Sequence, residues 1–106
     1  MTNVDESDFD YRDIDDVIHG RVRLSIMAYL SGADAAGFNE LKEKVGVSDG
    51  NLSVHISKLE EAGYVAVEKR FAGKKPQTIC RLSQTGRRAW LSYIERMAAI
   101  LDLKQG

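Results

Sequence analysis

The chain has 106 residues, of which 43% are hydrophobic and 29% are charged, as is usual for one small globular domain. Its formal net charge of -1 conceals an uneven distribution. Residues 1–16 carry seven acidic residues and one arginine, a net of -6, whereas residues 17–106 carry 14 basic and nine acidic residues, a net of +5. A basic body of this kind favours a polyanionic partner.

Hydropathy, cysteine count and motif content argue against several classes of protein. No run of 18 apolar residues indicates a membrane span and no signal-peptide pattern opens the chain, so we expect a cytoplasmic protein without a membrane partner. Cys80 is the single cysteine, and no ligands lie at metal-binding spacing, so we expect no metal or other cofactor. The sequence has no glycine-rich phosphate loop, shared carboxylate pair or nucleophile elbow, and we do not expect an enzyme.

The first predicted elements are an acidic tail and two helices. Residues 1–12 lack a hydrophobic period and are expected to be disordered. From about Asp13, apolar residues recur at helical spacing and predict a helix that ends near Gly32. Asn39 is a suitable N-cap for a short second helix that ends at Gly46.

A third helix follows almost directly. Ser48 is a strong N-cap, and Gly63 is well suited to the position just beyond the C-terminus. An apolar stripe at helical spacing predicts the buried side of this helix: Leu52, Ile56 and Leu59. Two helices joined by so short a link predict a helix-turn-helix, in which residues 49–62 form the recognition helix.

The hydrophobic period then changes from 3.6 to 2. Tyr64–Phe71 and Thr78–Ser83 alternate and predict two strands, joined by the loop AGKKPQ. This hairpin forms the wing, of which residues 69–78 carry the basic side chains.

Ser83 is expected to cap a last helix over residues 84–103. Its apolar residues recur at alternating spacings of three and four, which is typical of a helix-to-helix seam. We expect part of the seam to pack on the first helix and the rest to meet the same helix of a second copy. The predicted dimer interface comprises Trp90, Tyr93, Ile94, Met97, Ile100 and Leu101.

Three helices, a hairpin and a final helix are the order of a winged helix-turn-helix, mainly α with a small β-hairpin, an α+β fold class. The sequence resembles the winged-helix transcriptional regulators related to the MarR and ArsR families. The resemblance rests on IHGRVRLSIMAYL (18–30), FNELKEKVGVSDGNLSVHISKLEEAGYV (38–65) and KRFAGKKPQTICRLSQTGRRA (69–89). It implies a domain over residues 13–106, terminal helices that form a homodimer, and repression of transcription, and it leaves a small-molecule effector open.

The recognition helix presents small and polar residues opposite its apolar stripe, near the N-terminus where such a helix reads base edges. An asparagine can pair with adenine, serines can donate or accept, and a valine can meet a thymine methyl group. A glycine there permits close approach of the backbone, and Lys58 is better placed for a phosphate. The predicted contacts with double-stranded DNA are Ser48, Asp49, Gly50, Asn51, Ser53, Val54, Ser57 and Lys58.

The wing supplies four further predicted contacts, which can reach phosphates or a minor groove: Lys69, Arg70, Lys74 and Lys75. A dimer that presents two recognition helices predicts a pseudo-palindromic operator. The alternative is a winged-helix protein-interaction module that does not read DNA.

Two residues invite a chemical role but are expected to be structural. His55 lies at the edge of the buried side of its helix, where we expect a half-buried packing residue. Cys80 shares its strand parity with Leu82 and is expected to point into the core.

Overall fold

The computed structural model describes residues 10–105, which form four α-helices and one antiparallel sheet. The helices are α1 (Arg21–Ser31), α2 (Phe38–Val45), α3 (Asp49–Glu61) and α4 (Gln84–Gln105). The strands are β1 (Ala36–Gly37), β2 (Val65–Ala72) and β3 (Lys75–Leu82), in the sheet order β1-β3-β2. The α+β fold class and the winged helix-turn-helix order predicted from the sequence are confirmed. No helix in this part of the chain is long and apolar enough to cross a membrane.

The first helix begins later than its apolar pattern predicts. A start near Asp13 is wrong, since α1 begins at Arg21. The Asp15 carboxylate accepts hydrogen bonds from the backbone N–H groups of Val17, at 2.8 Å, and Ile18, at 3.2 Å, and thereby holds a turn in place of a helix. Ile18 is nevertheless completely buried, so the apolar residues before α1 belong to the core without being helical.

The predicted acidic tail lies mostly outside the described residues. Its last residues are described: Tyr11–Asp13 form a short 3-10 helix, and the Arg12 guanidinium bonds both carboxylate oxygens of Asp10, at 2.9 and 2.8 Å. The hydrogen bonds from Arg12 lower the pKa of Asp10 to about 2.

The caps of α2 and α3 explain where the helix-turn-helix begins and ends. Gly37 occupies the N-cap position of α2, not Asn39 as predicted, because β1 carries the chain in the sheet as far as Gly37. Ser48 caps α3 as predicted, its hydroxyl accepting from the Asn51 N–H at 3.2 Å. Gly63 has a φ of 81°, the left-handed conformation that suits a glycine beyond a helix C-terminus.

The wing is a longer and tighter hairpin than the sequence predicts. β2 and β3 pair from Val65 opposite Leu82 to Ala72 opposite Lys75, so only Gly73 and Lys74 form the turn. Most of the predicted loop AGKKPQ is therefore strand. Pro76 is tolerated in β3 because β1, the other neighbour of β3, pairs only at Ile79 and Cys80 and does not reach this end of the strand.

The core lies between the helix-turn-helix, the sheet and α4. Its largest fully buried side chains are Ile18, Ile26, Met27, Leu30, Leu41, Leu52, Leu59 and Cys80. Leu52, Ile56 and Leu59 are all buried, which confirms the predicted inward stripe of α3. Burying apolar side chains of this size contributes roughly 1.5–3 kcal/mol each.

The start of α4 is fixed by a close backbone contact. Ser83 caps this helix, accepting from the Gly86 N–H at 2.9 Å and donating its own N–H to the Tyr64 carbonyl at 2.9 Å. A Cβ added to Gly86 would lie 2.0 Å from the Tyr64 carbonyl oxygen and 2.7 Å from its carbonyl carbon. Because the obstacle is backbone, a side chain at position 86 would push α4 away from the end of α3.

We predict that Gly86→Ala lowers the free energy of unfolding by about 3 kcal/mol, since overpacking against backbone is not relieved by a side-chain rotation. Gly50→Ala is the matched control, because a Cβ at Gly50 meets nothing within 4 Å. In an exposed helix this replacement should stabilise by up to about 1 kcal/mol. Urea denaturation of the two variants measures the difference, and equal stabilities would contradict the close contact.

Candidate nucleic-acid interface

The exposed face of α3 contains all eight residues predicted to contact DNA. Each is exposed, from Ser48 at the N-cap to Lys58 one turn before the helix ends. Val54 keeps 52% of its surface exposed, which is high for a β-branched apolar residue. Gly50, Val54 and Ser57 lie opposite the apolar stripe, whereas Ser48 and Asp49 lie at the N-terminal end of the helix.

Gly50 is not explained by the fold. Positive φ angles occur at Gly46, Gly63 and Gly73 and not at Gly50, and a Cβ added to Gly50 would meet open space. A glycine within a helix costs about 1 kcal/mol relative to alanine. The fold therefore supplies no steric or conformational reason for a glycine at this position.

Asp49 has a structural partner. Its carboxylate lies 2.8 Å from the Lys42 ammonium group, so the pair links α2 to the first turn of α3. The negative charge also lies at the positive end of the helix dipole. Both side chains are well exposed, and such a pair contributes at most about 1 kcal/mol.

Alternation along the wing divides its side chains between two faces. Val67 and Lys69 lie on the face towards α3, where they line a groove together with Ser53, Ser57 and Thr78. Lys69 therefore stands beside the recognition helix. Arg70 lies on the opposite face, 3.4 Å from the Glu68 carboxylate.

The remaining basic residues of the wing are at its tip. Lys74 is in the two-residue turn, and Lys75 begins β3; both are exposed. The structure thus places Lys69 on the α3 side of the hairpin, Lys74 in its turn, and Arg70 and Lys75 on the opposite face. The sequence predicted these four as one cluster; strand parity could have separated Lys69 from Arg70, whereas the face of Lys75 depends on the hairpin register.

His55 is half-buried at the junction of α3 and α1, as predicted. Its Nδ1 lies 3.0 Å from the Arg23 guanidinium, whose Nε donates to the Val17 carbonyl at 2.5 Å. Because arginine can only donate, Nδ1 must accept, which fixes a neutral ring protonated at Nε2. Burial, then Arg23 and Lys58, lower the pKa of His55.

Cys80 and the second histidine are also structural. Cys80 is completely buried, and burial followed by the charge of Glu60 raises the pKa of its thiol to about 11, opposite to the shift of a reactive cysteine. His19 Nδ1 lies 2.9 Å from the Tyr93 hydroxyl. Among residues 10–105, no group of three or more His, Cys, Asp or Glu side chains could hold a metal ion.

The α4 seam divides into a covered and an uncovered part. Tyr93 is only 6% exposed and belongs to the core of the single chain, and Trp90 and Met97 pack against that core. Tyr93 therefore has little surface left for a second copy. The predicted residues Ile94 and Leu101 remain 43% and 55% exposed, and Ile100 is half-buried.

Two large exposed apolar residues were not predicted as functional from the sequence. Leu91 is 58% exposed beside Ile94, and Phe71 is 71% exposed on the wing. Leu91 lies three residues before Ile94, so its helical spacing could have identified it. Phe71 shares its parity with Val67, and the same alternation that placed Val67 could have placed it on the α3 side.

The chain matches the winged helix DNA-binding domain family over residues 22–101. It belongs to that family. Over 78 aligned residues the chain is 40% identical to an uncharacterized protein of Methanocaldococcus jannaschii. The alignment covers 74% of this chain and 85% of that one. The matching family is one of winged helix DNA-binding domains.

Two solved structures illustrate the fold. A transcriptional regulator homologue from Pyrococcus horikoshii OT3 is 25% identical to this chain and superposes with a TM-score of 0.77. The match covers 96% of this chain and 96% of that one. A structure described as a transcriptional regulator of the MarR family from Enterococcus faecalis V583 is 22% identical with a TM-score of 0.68, over 97% of this chain and 86% of that one. The predicted winged-helix resemblance is confirmed, and the likeness to the MarR-family structure is one of fold.

The Arg23–His55 contact predicts a pH dependence of stability. Burial, then Arg23 and Lys58, hold the folded-state pKa of His55 below its unfolded value of about 6.5, so the unfolded chain binds the proton first and stability decreases as the pH falls through about 6.5. His55→Asn keeps an acceptor for Arg23 without titrating and should flatten this part of the curve. His19→Asn is the control and should leave it intact; identical curves for both variants would contradict the assignment. Urea midpoints across the pH range measure the effect.

Proposed function

We propose that this winged helix protein is a transcriptional repressor that binds a pseudo-palindromic operator as a homodimer. In this proposal α3 enters the major groove, with Asn51, Ser53, Val54 and Ser57 at base edges. Lys58, Lys69, Lys74 and Lys75 neutralise phosphates or reach the neighbouring minor groove. Occupation of promoter DNA is the simplest way for such a domain to act.

Gly50 is the observation that carries the DNA contact. The fold gives no steric or conformational reason for a glycine in the first turn of α3. Close approach of the helix N-terminus to a DNA backbone or base edge supplies one. The exposed residues that follow it are of the types that pair with bases, whereas a uniformly basic face would bind DNA without reading it.

The function is tested by selecting genomic fragments that the protein binds and then measuring the affinity of Gly50→Ala for the selected sequence. We expect a loss of about tenfold or more in affinity, although the variant is at least as stable as the wild type. Inverted half-sites about 10–10.5 base pairs apart should recur among the fragments. Selection of no common sequence, together with unchanged binding by Gly50→Ala, would favour the protein-interaction module.

The homodimer is proposed from an exposed apolar row on α4. We call it the α4 stripe: Leu91, Ile94, Ala98 and Leu101, all exposed and spaced by three, four and three residues. This is the spacing of a coiled-coil seam. The stripe lies beside Trp90 and Met97, which already pack on the core, so a second helix would extend an existing apolar surface.

Charges along one edge of the α4 stripe favour an antiparallel pair. Arg88, Glu95 and Asp102 follow one another at seven-residue intervals, and all are exposed. If two helices pair antiparallel with Leu91 level with Leu101 of the second copy, Arg88 lies within two residues of the level of Asp102 at both ends, and the two copies of Glu95 meet near the twofold axis. The same register brings together the full length of the stripe, whereas a shift by one heptad would pair Arg88 with Glu95 and leave Leu101 uncovered.

Charge reversal tests this register. Arg88→Asp and Asp102→Arg should each raise the dimer dissociation constant about tenfold, because two attractive pairs per dimer become repulsive, and the double variant should restore it. Sedimentation equilibrium measures the constants. Rescue of Arg88→Asp by Glu95→Arg in place of Asp102→Arg would contradict the register, and a wild-type monomer at micromolar concentration would contradict the dimer.

A further inference from the structure

Phe71 is the most exposed large apolar residue of the described chain, at 71% of its surface. It lies near the end of β2 and pairs with Pro76 of β3. The next rung of the ladder, Ala72 opposite Lys75, and the two-residue turn are all that lies beyond it. The wing thus presents an apolar pair one rung from its tip, surrounded by basic side chains.

Strand alternation fixes the face on which this pair lies. Residues that share the parity of Phe71 on β2 are Lys69, Val67 and Val65, and the side chains become progressively more buried in that order. Their partners on β3 likewise change from exposed at Pro76 to buried at Cys80 and Leu82. Val67, Lys69 and Thr78 of this row line the groove against α3.

The row therefore runs from the core, past the recognition helix, to Phe71 and Pro76. At about 3.4 Å per residue, Phe71 lies about 7 Å beyond Lys69 along the strand. It lies on the face of the sheet that borders α3, further out along the strand than the residues that line the groove, so it is exposed on the side of the wing next to the recognition helix. Glu68, Arg70 and Arg81 form their ion pairs on the opposite face.

We propose that Phe71 and Pro76 form an apolar wedge that enters the minor groove next to the major groove read by α3, and bends the DNA there. The inference rests on the proposed DNA-binding function. Lys69, Lys74 and Lys75 complement the phosphates on either side of such a groove, which favours DNA over a second copy of this basic surface as the occupant. Phenylalanine and proline are among the side chains that unstack a base step from the minor groove, most readily at a flexible TA or CA step.

The experiment compares Phe71→Ala with two matched variants on a genomic fragment that the wild-type protein binds, with fluorophores at the fragment ends to report its bend. Gln77→Ala removes an exposed side chain from the opposite face, one residue from Pro76, and Lys69→Ala removes a charge from the face of Phe71. We expect Phe71→Ala to reduce the bend towards that of free DNA and weaken affinity about tenfold, without changing the salt dependence. Lys69→Ala should keep the bend and make the slope of log K against log salt shallower by about 0.9, and Gln77→Ala should change neither.

Salt-dependent binding by the wild type with an unchanged bend in Phe71→Ala would overturn the wedge and leave the DNA-binding function intact. Conversion of the wild-type dimer to a monomer by Phe71→Ala would also overturn it, because Phe71 would then be a subunit contact. Absence of any salt-dependent binding by the wild type would be a failure of the proposed function itself. Unchanged circular dichroism of Phe71→Ala confirms that the exposed residue was removed without loss of the fold.

Discussion

The arrangement of this protein depends on the contact between Gly86 and the Tyr64 backbone. Tyr64 follows the C-terminal glycine of α3 and precedes β2, and Gly86 lies in the first turn of α4. The end of the recognition helix, the start of the wing and the start of α4 therefore meet at one point. The absence of a side chain at position 86 allows the three elements to approach so closely.

Side chains reinforce this junction. The Ser83 hydroxyl donates to the Gly63 carbonyl at 2.5 Å while its backbone N–H bonds Tyr64, so the chain entering α4 is tied to the end of α3. The Tyr64 hydroxyl donates to the Asp15 carboxylate at 2.5 Å, and burial together with this bond raises the pKa of Tyr64 to about 12. The segment before α1 is thereby attached to the same point. A change in the position of α4 would therefore displace the end of α3 and the start of the wing.

The large exposed apolar residues follow from this arrangement. Val54 and Phe71 lie on α3 and the wing, and Leu91, Ile94 and Leu101 lie on α4. Such residues are common on surfaces singly, but here they form two groups that coincide with the two proposed interfaces. Because Gly86 packs directly on the Tyr64 backbone, pairing of α4 in the proposed dimer would set the separation of the two recognition helices.

The sequence predicts those features that depend on local periodicity and caps. The inward stripe of α3, Ser48 and Gly63 at its ends, and the buried Cys80 required only spacing and residue type. The start of α1 at Arg21 could not be predicted from the apolar periodicity. The Asp15 carboxylate accepts hydrogen bonds from backbone N–H groups in a segment that this periodicity assigns to a helix. Strand β1 was missed because a two-residue strand has no pattern of its own and exists only through its partner β3. Likewise, the faces of Lys75 and Pro76 depend on a hairpin register that the loop prediction concealed.

In the proposed function, α3 and the wing bind DNA through phosphate neutralisation as well as base contacts. The most direct measurement is the slope of log K against log salt concentration for the wild type and for Lys74→Ala with Lys75→Ala. We expect a steep wild-type slope that becomes shallower by about 1.8 in the double variant, since each phosphate contact contributes about 0.9. A wild-type affinity that does not change with salt, or an equal slope in the double variant, would contradict it.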